Sequence, residues 1–329
     1  MRAAVLDEDH TFDVADVADP TPAPDELVLQ VRACGICGSD LKSHTMMPPG
    51  SVLGHEFCGD VVAVGTDARD RWREGQLVAA LPIVACGRCR WCLADEPLHC
   101  ERVDLLGVGG SAGAFAEYVR VGADQSVLLD ESVGDHGAIV EPLAVGLHTV
   151  EAAQIRTGDR VLVIGGGNVG AAVTFWCRRL GAAEVVVSDP VASRREAAGL
   201  WGATDAHDPA EGRPHPGFDV VIECVGAPGL IQAAIDATAV HGRVVVAGVC
   251  TAPDAVVPLT AIMKEVDVRF AVYYRGREFA AAASVLNGGA FDADAFVTGA
   301  VGLGGVSGAF ARLLAGSDER KVLVRPGLG

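Results

Sequence analysis

The chain has 329 residues, of which 50% are hydrophobic and 21% are charged, so it is long enough and apolar enough for two globular domains. Its formal net charge of −17 would repel a polyanion, which argues against a nucleic-acid partner. No apolar run is long enough to span a bilayer, and MRAAVLDEDHTF lacks the apolar core of a secretory signal. We therefore expect no membrane association and a cytoplasmic location.

The first half of the chain predicts a β-rich fold. DELVLQVRAC, GDVVAVG and AEYVRVGAD are short strand-like runs interrupted by Gly, Pro and Asp. Within this half, SVLGHEFCG places His55 directly before Glu56. On its own, such a pair is more typical of a buried histidine beside a surface glutamate than of a metal site.

A dense cysteine motif follows in ACGRCRWCLADEPLHC, where the spacing is C-x2-C-x2-C-x7-C. Four thiolates this close suit a closed, tetrahedral zinc site, which has no open position for substrate and is therefore structural. A [4Fe–4S] cluster is the competing interpretation, but its bacterial pattern normally continues with three residues and Cys-Pro. The predicted zinc ligands are Cys86, Cys89, Cys92 and Cys100.

From about residue 150 the pattern changes to strands alternating with helices. DRVLVIGGGNVG, EVVVSD, FDVVIECVG and GRVVVAGV read as buried strands, with AAVTFWCRRLG, ASRREAAGLWG and LIQAAIDATAV as helices between them. Apolar strands alternating with helices indicate a parallel sheet covered on both faces. The tail adds the amphipathic helix EFAAAASVLNGG and the strand-like KVLVRP.

The turn in VLVIGGGNVG predicts a dinucleotide site. Gly165, Gly167 and Gly170 have the spacing G-x-G-x-x-G between an apolar strand and a helix, which is the context this motif requires. The glycines permit a tight turn, close approach of a pyrophosphate and close packing of helix on strand. Asn168 and Val169 complete the turn, and the helix N-terminus supplies N–H groups to the phosphates.

An acidic residue predicts which dinucleotide binds. Asp189 lies 19 residues after Gly170, where a carboxylate accepts hydrogen bonds from a ribose 2′-OH and repels a 2′-phosphate. NAD is therefore favoured over NADP, although Arg194 and Arg195 are near enough in sequence to accommodate the extra phosphate. Val225, just after the third strand, is a further candidate contact to the cofactor. The alternative is a plain glycine turn with a surface aspartate.

These motifs resemble the zinc-dependent medium-chain dehydrogenase/reductase superfamily. The resemblance runs in order from GICGSD and GHEF through the four cysteines, IVEPLAVGLH and VIGGGNVG to KVLVRP. It implies an α/β protein with a GroES-like β-rich catalytic domain and a doubly wound Rossmann domain. The expected divisions are 1–147 with a zinc lobe at 86–100, 148–276 for NAD, and 277–329 returning to the catalytic domain.

The resemblance also implies a catalytic zinc site held by Cys37 and His55. Alcohol dehydrogenases of the superfamily usually add a second cysteine, whereas this sequence has Glu141. That is similar to the polyol branch, which includes sorbitol, butanediol, threonine and sugar dehydrogenases. The remaining ligand would be Glu56 or Glu141. Together with the structural zinc of the four cysteines, this gives two zinc ions per chain. Ser39 corresponds to a hydroxyl that contacts the substrate oxygen.

The implied reaction is hydride transfer between a secondary alcohol, diol or polyol and NAD by way of a zinc-bound alkoxide. Lys42 stands where many relatives have a relay histidine, and we expect it to be a solvated surface residue, with His44 as another relay candidate. Open alternatives are a threonine or sugar dehydrogenase, a zinc-free quinone or enoyl reductase, and a non-catalytic dinucleotide-binding regulatory protein. A homodimer or homotetramer is expected, often formed by joining Rossmann sheets edge to edge.

Overall fold

A computed structural model describes residues 1–212, 214 and 216–328. The chain divides into two units, one formed by Met1–Glu141 with Tyr274–Gly329 and the other by Pro142–Tyr273. The first unit is thus built from both ends of the chain. Among the described residues, none of the helices has the length and apolar character needed to cross a membrane.

The elements of the first 152 residues are mostly short strands. Glycine, proline and aspartate separate them, as the sequence indicates. The strands are β1 (Arg2–Leu6), β2 (Phe12–Asp16), β3 (Glu26–Gly35), β4 (Glu56–Val64), β5 (Leu77–Ala80), β6 (Ile83–Val84), β7 (Asp104–Leu105), β8 (Tyr118–Gly122) and β9 (Ser126–Leu128). The α-helices are α1 (Gly38–Ser43), α2 (Arg90–Leu93) and α3 (Val140–Ala152).

The elements that follow alternate between strand and helix, except that β12 and β13 have no α-helix between them. The strands are β10 (Arg160–Ile164), β11 (Glu184–Ser188), β12 (Asp205–His207), β13 (Phe218–Glu223), β14 (Thr238–Val246) and β15 (Asp267–Phe270). The helices are α4 (Asn168–Arg179), α5 (Ala192–Ala198), α6 (Leu230–Ala237) and α7 (Pro258–Lys264). The C-terminal elements are α8 (Gly276–Asn287), α9 (Ala293–Phe296), β16 (Val297–Val301), α10 (Val306–Leu314) and β17 (Lys321–Val324).

In the first unit, the long strand β3 organises a seven-stranded sheet. The order is β16-β17-β3-β4-β5-β9, and β8 also pairs with β3. β3 pairs antiparallel with both β4 and β17, so that Gly35 lies opposite Glu56 on one side and Leu323 on the other. This register brings the N-terminal half and the C-terminal tail together at the end of β3.

In the second unit, six parallel strands form one sheet in the order β12-β11-β10-β13-β14-β15. The central strands β10, β11 and β13 are apolar and almost fully buried, as expected for a sheet with helices on both faces. The predicted α/β class with a Rossmann-like sheet is confirmed.

One predicted helix is too long. LIQAAIDATAV was expected to be helical throughout, but α6 ends at Ala237 and Thr238 already belongs to β14. The hydroxyl of Thr238 donates to the carbonyl of Ala234 at 2.6 Å, and Nζ of Lys264 donates to carbonyls at the same end of α6. These tertiary contacts satisfy the terminal carbonyls and end the helix early.

Candidate metal centres and dinucleotide turn

The end of β3 and the start of β4 bring three potential metal ligands together. Cys37 is the residue before α1, and His55 directly precedes β4, in which Glu56 is the first residue. One ligand atom from each of the three lies within 4.8 Å of the others. A thiol, an imidazole and a carboxylate are three protein donors of the kind that suits a catalytic zinc ion.

Asp40 fixes the orientation of the His55 ring. Its Oδ1 lies 3.1 Å from Nδ1 of His55, and its Oδ2 accepts the backbone N–H of Cys37 at 2.9 Å. Burial acts to lower the pKa of His55, but the Asp40 carboxylate and the Cys37 thiol outweigh it and raise that pKa. With Nδ1 turned to Asp40, Nε2 is the nitrogen left for a metal, and Ser39 Oγ is 3.4 Å from it.

Glu56 forms a buried ion pair with Lys321 of β17. Both side chains are only 1% exposed, and Nζ of Lys321 also donates to the carbonyl of Ile36 at 3.1 Å. The two side chains meet over Gly35, where a Cβ would overlap Oε2 of Glu56. One carboxylate oxygen of Glu56 is therefore held by a lysine while the residue remains in the metal-ligand cluster.

Glu141, the second residue of α3, is buried near the same cluster. Burial raises its pKa to about 7, against the opposing positive charge of His55, while the negative charge of Glu56 adds to the rise. The hydroxyl of Tyr274 acts in the opposite direction and lowers the pKa of this carboxylate. The compact ligand group thus contains Cys37, His55 and Glu56. Glu141 lies close enough for the charges of His55 and Glu56 to shift its pKa.

The four cysteines of the second motif converge as their spacing predicts. The four Sγ atoms all lie within 4.8 Å of one another. Sγ of Cys92 is 3.5 Å from Sγ of Cys89 and 4.0 Å from Sγ of Cys86. Backbone N–H groups lower the pKa of Cys86 to about 6, whereas burial and the neighbouring sulfurs raise that of Cys92 to about 12. A zinc ion would favour the thiolate at every position, so the cluster fits a closed tetrahedral site.

The glycine turn after β10 forms a cradle at the start of α4. Gly165 has a φ of +98°, and a Cβ on Gly170 would overlap the carbonyl oxygen of Gly165. At Gly167, by contrast, no atom of the described residues lies within 4 Å of a Cβ position. Oδ1 of Asn168, which begins α4 beside Val169, is buried without a hydrogen-bond partner in the described chain. Open space and an unmet polar atom at a helix N-terminus fit a pyrophosphate.

Asp189 follows β11 and reaches back to that turn. Its buried carboxylate accepts the N–H of Gly166 at 2.7 Å and that of Val191 at 2.8 Å. Arg194 Nη1 lies 3.6 Å from the same carboxylate. The predicted acid is therefore in contact with the glycine turn, with one of the two nearby arginines beside it.

Val225 also packs on the glycine turn. Its side chain lies so close to Gly165 that a Cβ at that position would overlap it. The buried carboxylate of Glu223 accepts the backbone N–H groups of Val225 and Gly226 at 2.6 and 2.7 Å.

The two residues considered for a proton relay lie near α1. Lys42 is exposed, and Nδ1 of His44 lies 3.1 Å from the carbonyl of Leu41.

Sequence reasoning missed three residues at the metal site. Asp40 is part of the quoted GICGSD motif, and its distance from Cys37 is that of a helix-capping acid, which was a usable signal. Lys321 is one of only three lysines and stands in an apolar strand, which hints at a buried cation. Tyr274 had no sequence signal, because its place beside Glu141 depends on the returning tail.

Comparison with known proteins shows which family the chain belongs to. Residues 23–131 match a family model described as the alcohol dehydrogenase GroES-like domain, and residues 168–287 match one described as zinc-binding dehydrogenase. The chain is 30% identical to a sorbitol dehydrogenase of Bacillus subtilis over 99% of this chain and 97% of that protein. It is 29% identical to a (R,R)-butanediol dehydrogenase of the same organism over 99% and 100%.

A solved structure covers nearly the whole fold. A zinc-binding dehydrogenase from Sinorhizobium meliloti, bound to NADP, superposes with a TM-score of 0.90 at 32% identity over 99% of both chains. The chain belongs to the zinc-type medium-chain dehydrogenase/reductase family. It is an oxidoreductase that acts on small alcohols with zinc and a nicotinamide dinucleotide, and the predicted enzyme class is confirmed.

Proposed function

We propose that this enzyme is an NAD-dependent polyol or secondary-alcohol dehydrogenase with one catalytic and one structural zinc ion per chain. The observation that carries the proposal is the cluster of Cys37, His55 and Glu56, with Nε2 of His55 beside Ser39. A second, closed cluster of four cysteines supports the count of two ions. The similarity to a sorbitol and a butanediol dehydrogenase supports a diol or polyol as substrate.

The catalytic ligands in this proposal are Cys37, Nε2 of His55 and a carboxylate. Glu56 supplies that carboxylate in the arrangement described here, because it belongs to the compact ligand group. Glu141 is the alternative ligand, since it is a buried carboxylate whose pKa responds to the charges of His55 and Glu56. Asp40 holds His55 in the orientation and tautomer that present Nε2.

The chain's own residues bind the alcohol and move its proton. A bound zinc ion would polarise the substrate hydroxyl and lower its pKa, while the nicotinamide accepts the hydride. Ser39 accepts a hydrogen bond from that hydroxyl and passes the proton on, as its place beside Nε2 of His55 suggests. Lys42 is exposed, and in this proposal the proton would pass from Ser39 to solvent water rather than to Lys42; a bound cofactor would supply ribose hydroxyls near that route.

NAD is the proposed cofactor because of Asp189. A buried carboxylate in contact with the glycine turn would repel a 2′-phosphate. Arg194 lies beside it, and the similar Sinorhizobium meliloti enzyme was solved with NADP, so the choice requires a direct measurement. The ratio of kcat/KM for NAD⁺ over NADP⁺ tests it: a ratio above one supports Asp189 as the selector, and a ratio below one contradicts it.

We also propose a cytoplasmic homo-oligomer. All ten cysteines lie in the described residues and none forms a disulfide, which agrees with a reducing compartment. β15 is the last strand of the parallel sheet and all four of its residues are exposed. Pairing of this edge with a second copy would satisfy its free backbone groups.

The experiment combines metal analysis with a substrate panel. We expect about two zinc ions per chain by mass spectrometry, about one in a Cys37→Ser variant, and NADH formation with some diols or polyols. Sugars and threonine belong in the same panel, because they represent the other members of the branch. One zinc ion per wild-type chain, retained in Cys37→Ser, would contradict the catalytic site.

A further inference from the structure

The carboxyl ends of β11 and β12 bring two acidic residues to the same edge of the parallel sheet. Ser188 and His207 end these strands and lie opposite each other, and the residues that follow them are Asp189 and Asp208. The backbone N–H of Asp189 donates to the carbonyl of His207 at 3.2 Å, which continues the pairing past the strand ends. In a doubly wound sheet, ligands bind outside the carboxyl ends of the strands. Asp208 therefore lies at the ligand-binding edge, as Asp189 does.

Arg195 of α5 connects these two strand ends. Its Nη1 donates to the backbone carbonyl of Asp189 at 2.8 Å, and its Nη2 lies 2.9 Å from Oδ2 of Asp208. The side chains of Arg195 and Asp208 are only 21% and 23% exposed, so water screens their attraction less than on an open surface. Both terminal nitrogens of the guanidinium are thus engaged by the protein itself.

The carboxylate of Asp208 is fixed from a second side. Its Oδ1 accepts the backbone N–H of Ala210 at 2.9 Å and so caps the short 3-10 helix Pro209–Glu211. With one oxygen on this cap and the other on Arg195, the carboxylate has a defined orientation. Asp208 is therefore a fixed anchor for the guanidinium of Arg195.

The charges at these strand ends offset one another. Nη1 of Arg194 lies 3.6 Å from the carboxylate of Asp189, and Arg195 is paired with Asp208. NADP differs from NAD by a 2′-phosphate, and a phosphate monoester carries a charge of about −1.5 to −2 at pH 7. Without Asp208, one cation would be left uncompensated, and Nη2 of Arg195 would be released to bind a phosphate oxygen, for which a guanidinium is well suited.

We propose that Asp208 is a specificity-determining residue for the cofactor, which disfavours NADP by holding Arg195 and cancelling its charge. The inference rests on the proposed NAD-dependent function, in which Asp189 lies at the 2′ position of the ribose. Asp189 acts on a 2′-phosphate through its own negative charge, whereas Asp208 acts by withholding a cation from it. The second acid therefore reinforces the first without contacting the cofactor.

A double-mutant cycle tests the role of Asp208. The variants are Asp208→Ser, which removes the carboxylate but keeps a residue that caps helices, Arg195→Gln, and the two together. The measurement is the Kd of NADPH and of NADH for the full chain, obtained from titrations of nicotinamide fluorescence. We expect Asp208→Ser to lower the Kd of NADPH by about tenfold, which one charge-assisted hydrogen bond can supply, and to leave the Kd of NADH unchanged. In the Arg195→Gln background, Asp208→Ser should bring no gain in NADPH affinity.

The control is Asp205→Ser, which removes an exposed acid from the same strand. The carboxylate of Asp205 accepts the N–H of Ala206 at 2.8 Å, so its loss changes the net charge equally but leaves Arg195 paired. A gain in NADPH affinity that persists without Arg195, or one no larger than that of Asp205→Ser, would overturn the proposal.

Melting temperatures check that each variant is folded. If Asp208→Ser does not fold, Asp208→Asn takes its place in the cycle, because asparagine also caps helices and lacks the charge. A wild type that prefers NADP⁺ by kcat/KM would contradict the proposed cofactor, whereas the cycle reports separately whether Asp208 limits NADPH binding through Arg195.

Discussion

The residues that decide the catalytic centre are buried charges. Asp40, Glu56 and Lys321 are each at most 1% exposed, and every one contacts either a candidate metal ligand or another of the three. A charge taken out of water is tolerated only when it is paired and hydrogen-bonded. The family resemblance implied Cys37 and His55 as ligands, whereas the pairing of Glu56 with Lys321 depends on β3, β4 and β17 meeting in the folded sheet.

Asp40→Asn should weaken zinc binding at the catalytic site without changing the ligands. The amide keeps the size of the side chain but loses the charge that holds Nδ1 of His55 at 3.1 Å. We expect affinity to fall by about 10- to 100-fold. Competition with a chromophoric chelator measures it, with the four-cysteine site as the internal control. Equal affinity in variant and wild type would show that Asp40 only caps α1.

Lys321→Met should destabilise the fold, since it leaves Glu56 buried without its cation. Removing one partner of a buried pair costs about 3 to 5 kcal/mol, whereas replacing both with neutral groups is often tolerated. We therefore expect Lys321→Met to lower the free energy of unfolding by that amount and the double variant Lys321→Met with Glu56→Gln to recover most of it. Urea unfolding gives both values. A single variant as stable as the wild type would mean that Glu56 is neutral in the folded enzyme.

At the scale of elements, the sequence predicted the strands and the glycine turn correctly but placed the end of one helix wrongly. The G-x-G-x-x-G spacing predicted the turn between β10 and α4, because each glycine meets a local steric demand. The end of α6 was missed, because Lys264 satisfies the carbonyls of Ile235 and Asp236 from a later helix that only the folded chain brings there. The steric requirements of a turn can be predicted from the residues within it, whereas hydrogen bonds between distant elements cannot.

Two glycines of the turn should respond differently to alanine. A Cβ on Gly170 would overlap the carbonyl of Gly165, so Gly170→Ala should destabilise the second unit by about 1 to 3 kcal/mol. A Cβ on Gly167 meets no atom of the described residues, so Gly167→Ala should keep the wild-type melting temperature. It should nevertheless weaken NADH binding by about tenfold or more, because it fills the space of the pyrophosphate.

Thermal melting and titration of NADH fluorescence separate the two effects. Gly199→Ala is a matched control in the same unit, since its Cβ also meets open space but lies away from the turn. Unchanged NADH affinity in Gly167→Ala would place the pyrophosphate elsewhere.

At the scale of the whole molecule, composition excluded partners but did not name them. The charge of −17 argues against polyanions, and the motif order indicates the family across the full chain. The proposed oligomer would need a surface that sequence patterns do not mark. Phe270 lies on β15, the last strand of the parallel sheet, and is 69% exposed. Ile262 and Met263, on the preceding helix α7, are 66% and 73% exposed. Exposed apolar side chains on and near an edge strand favour an interaction surface there.

Antiparallel pairing of β15 with a second copy about Val268 would set Asp267 of one copy opposite Arg269 of the other. This register joins the two sheets and pairs opposite charges, which stabilises neighbouring strands. Phe270→Asp should therefore convert the oligomer to a smaller species, because it adds a charge to the apolar edge. Light scattering after size exclusion measures the mass, and Leu200→Asp, an exposed apolar residue next to α5, is the control. An unchanged mass for Phe270→Asp would place the interface on another surface.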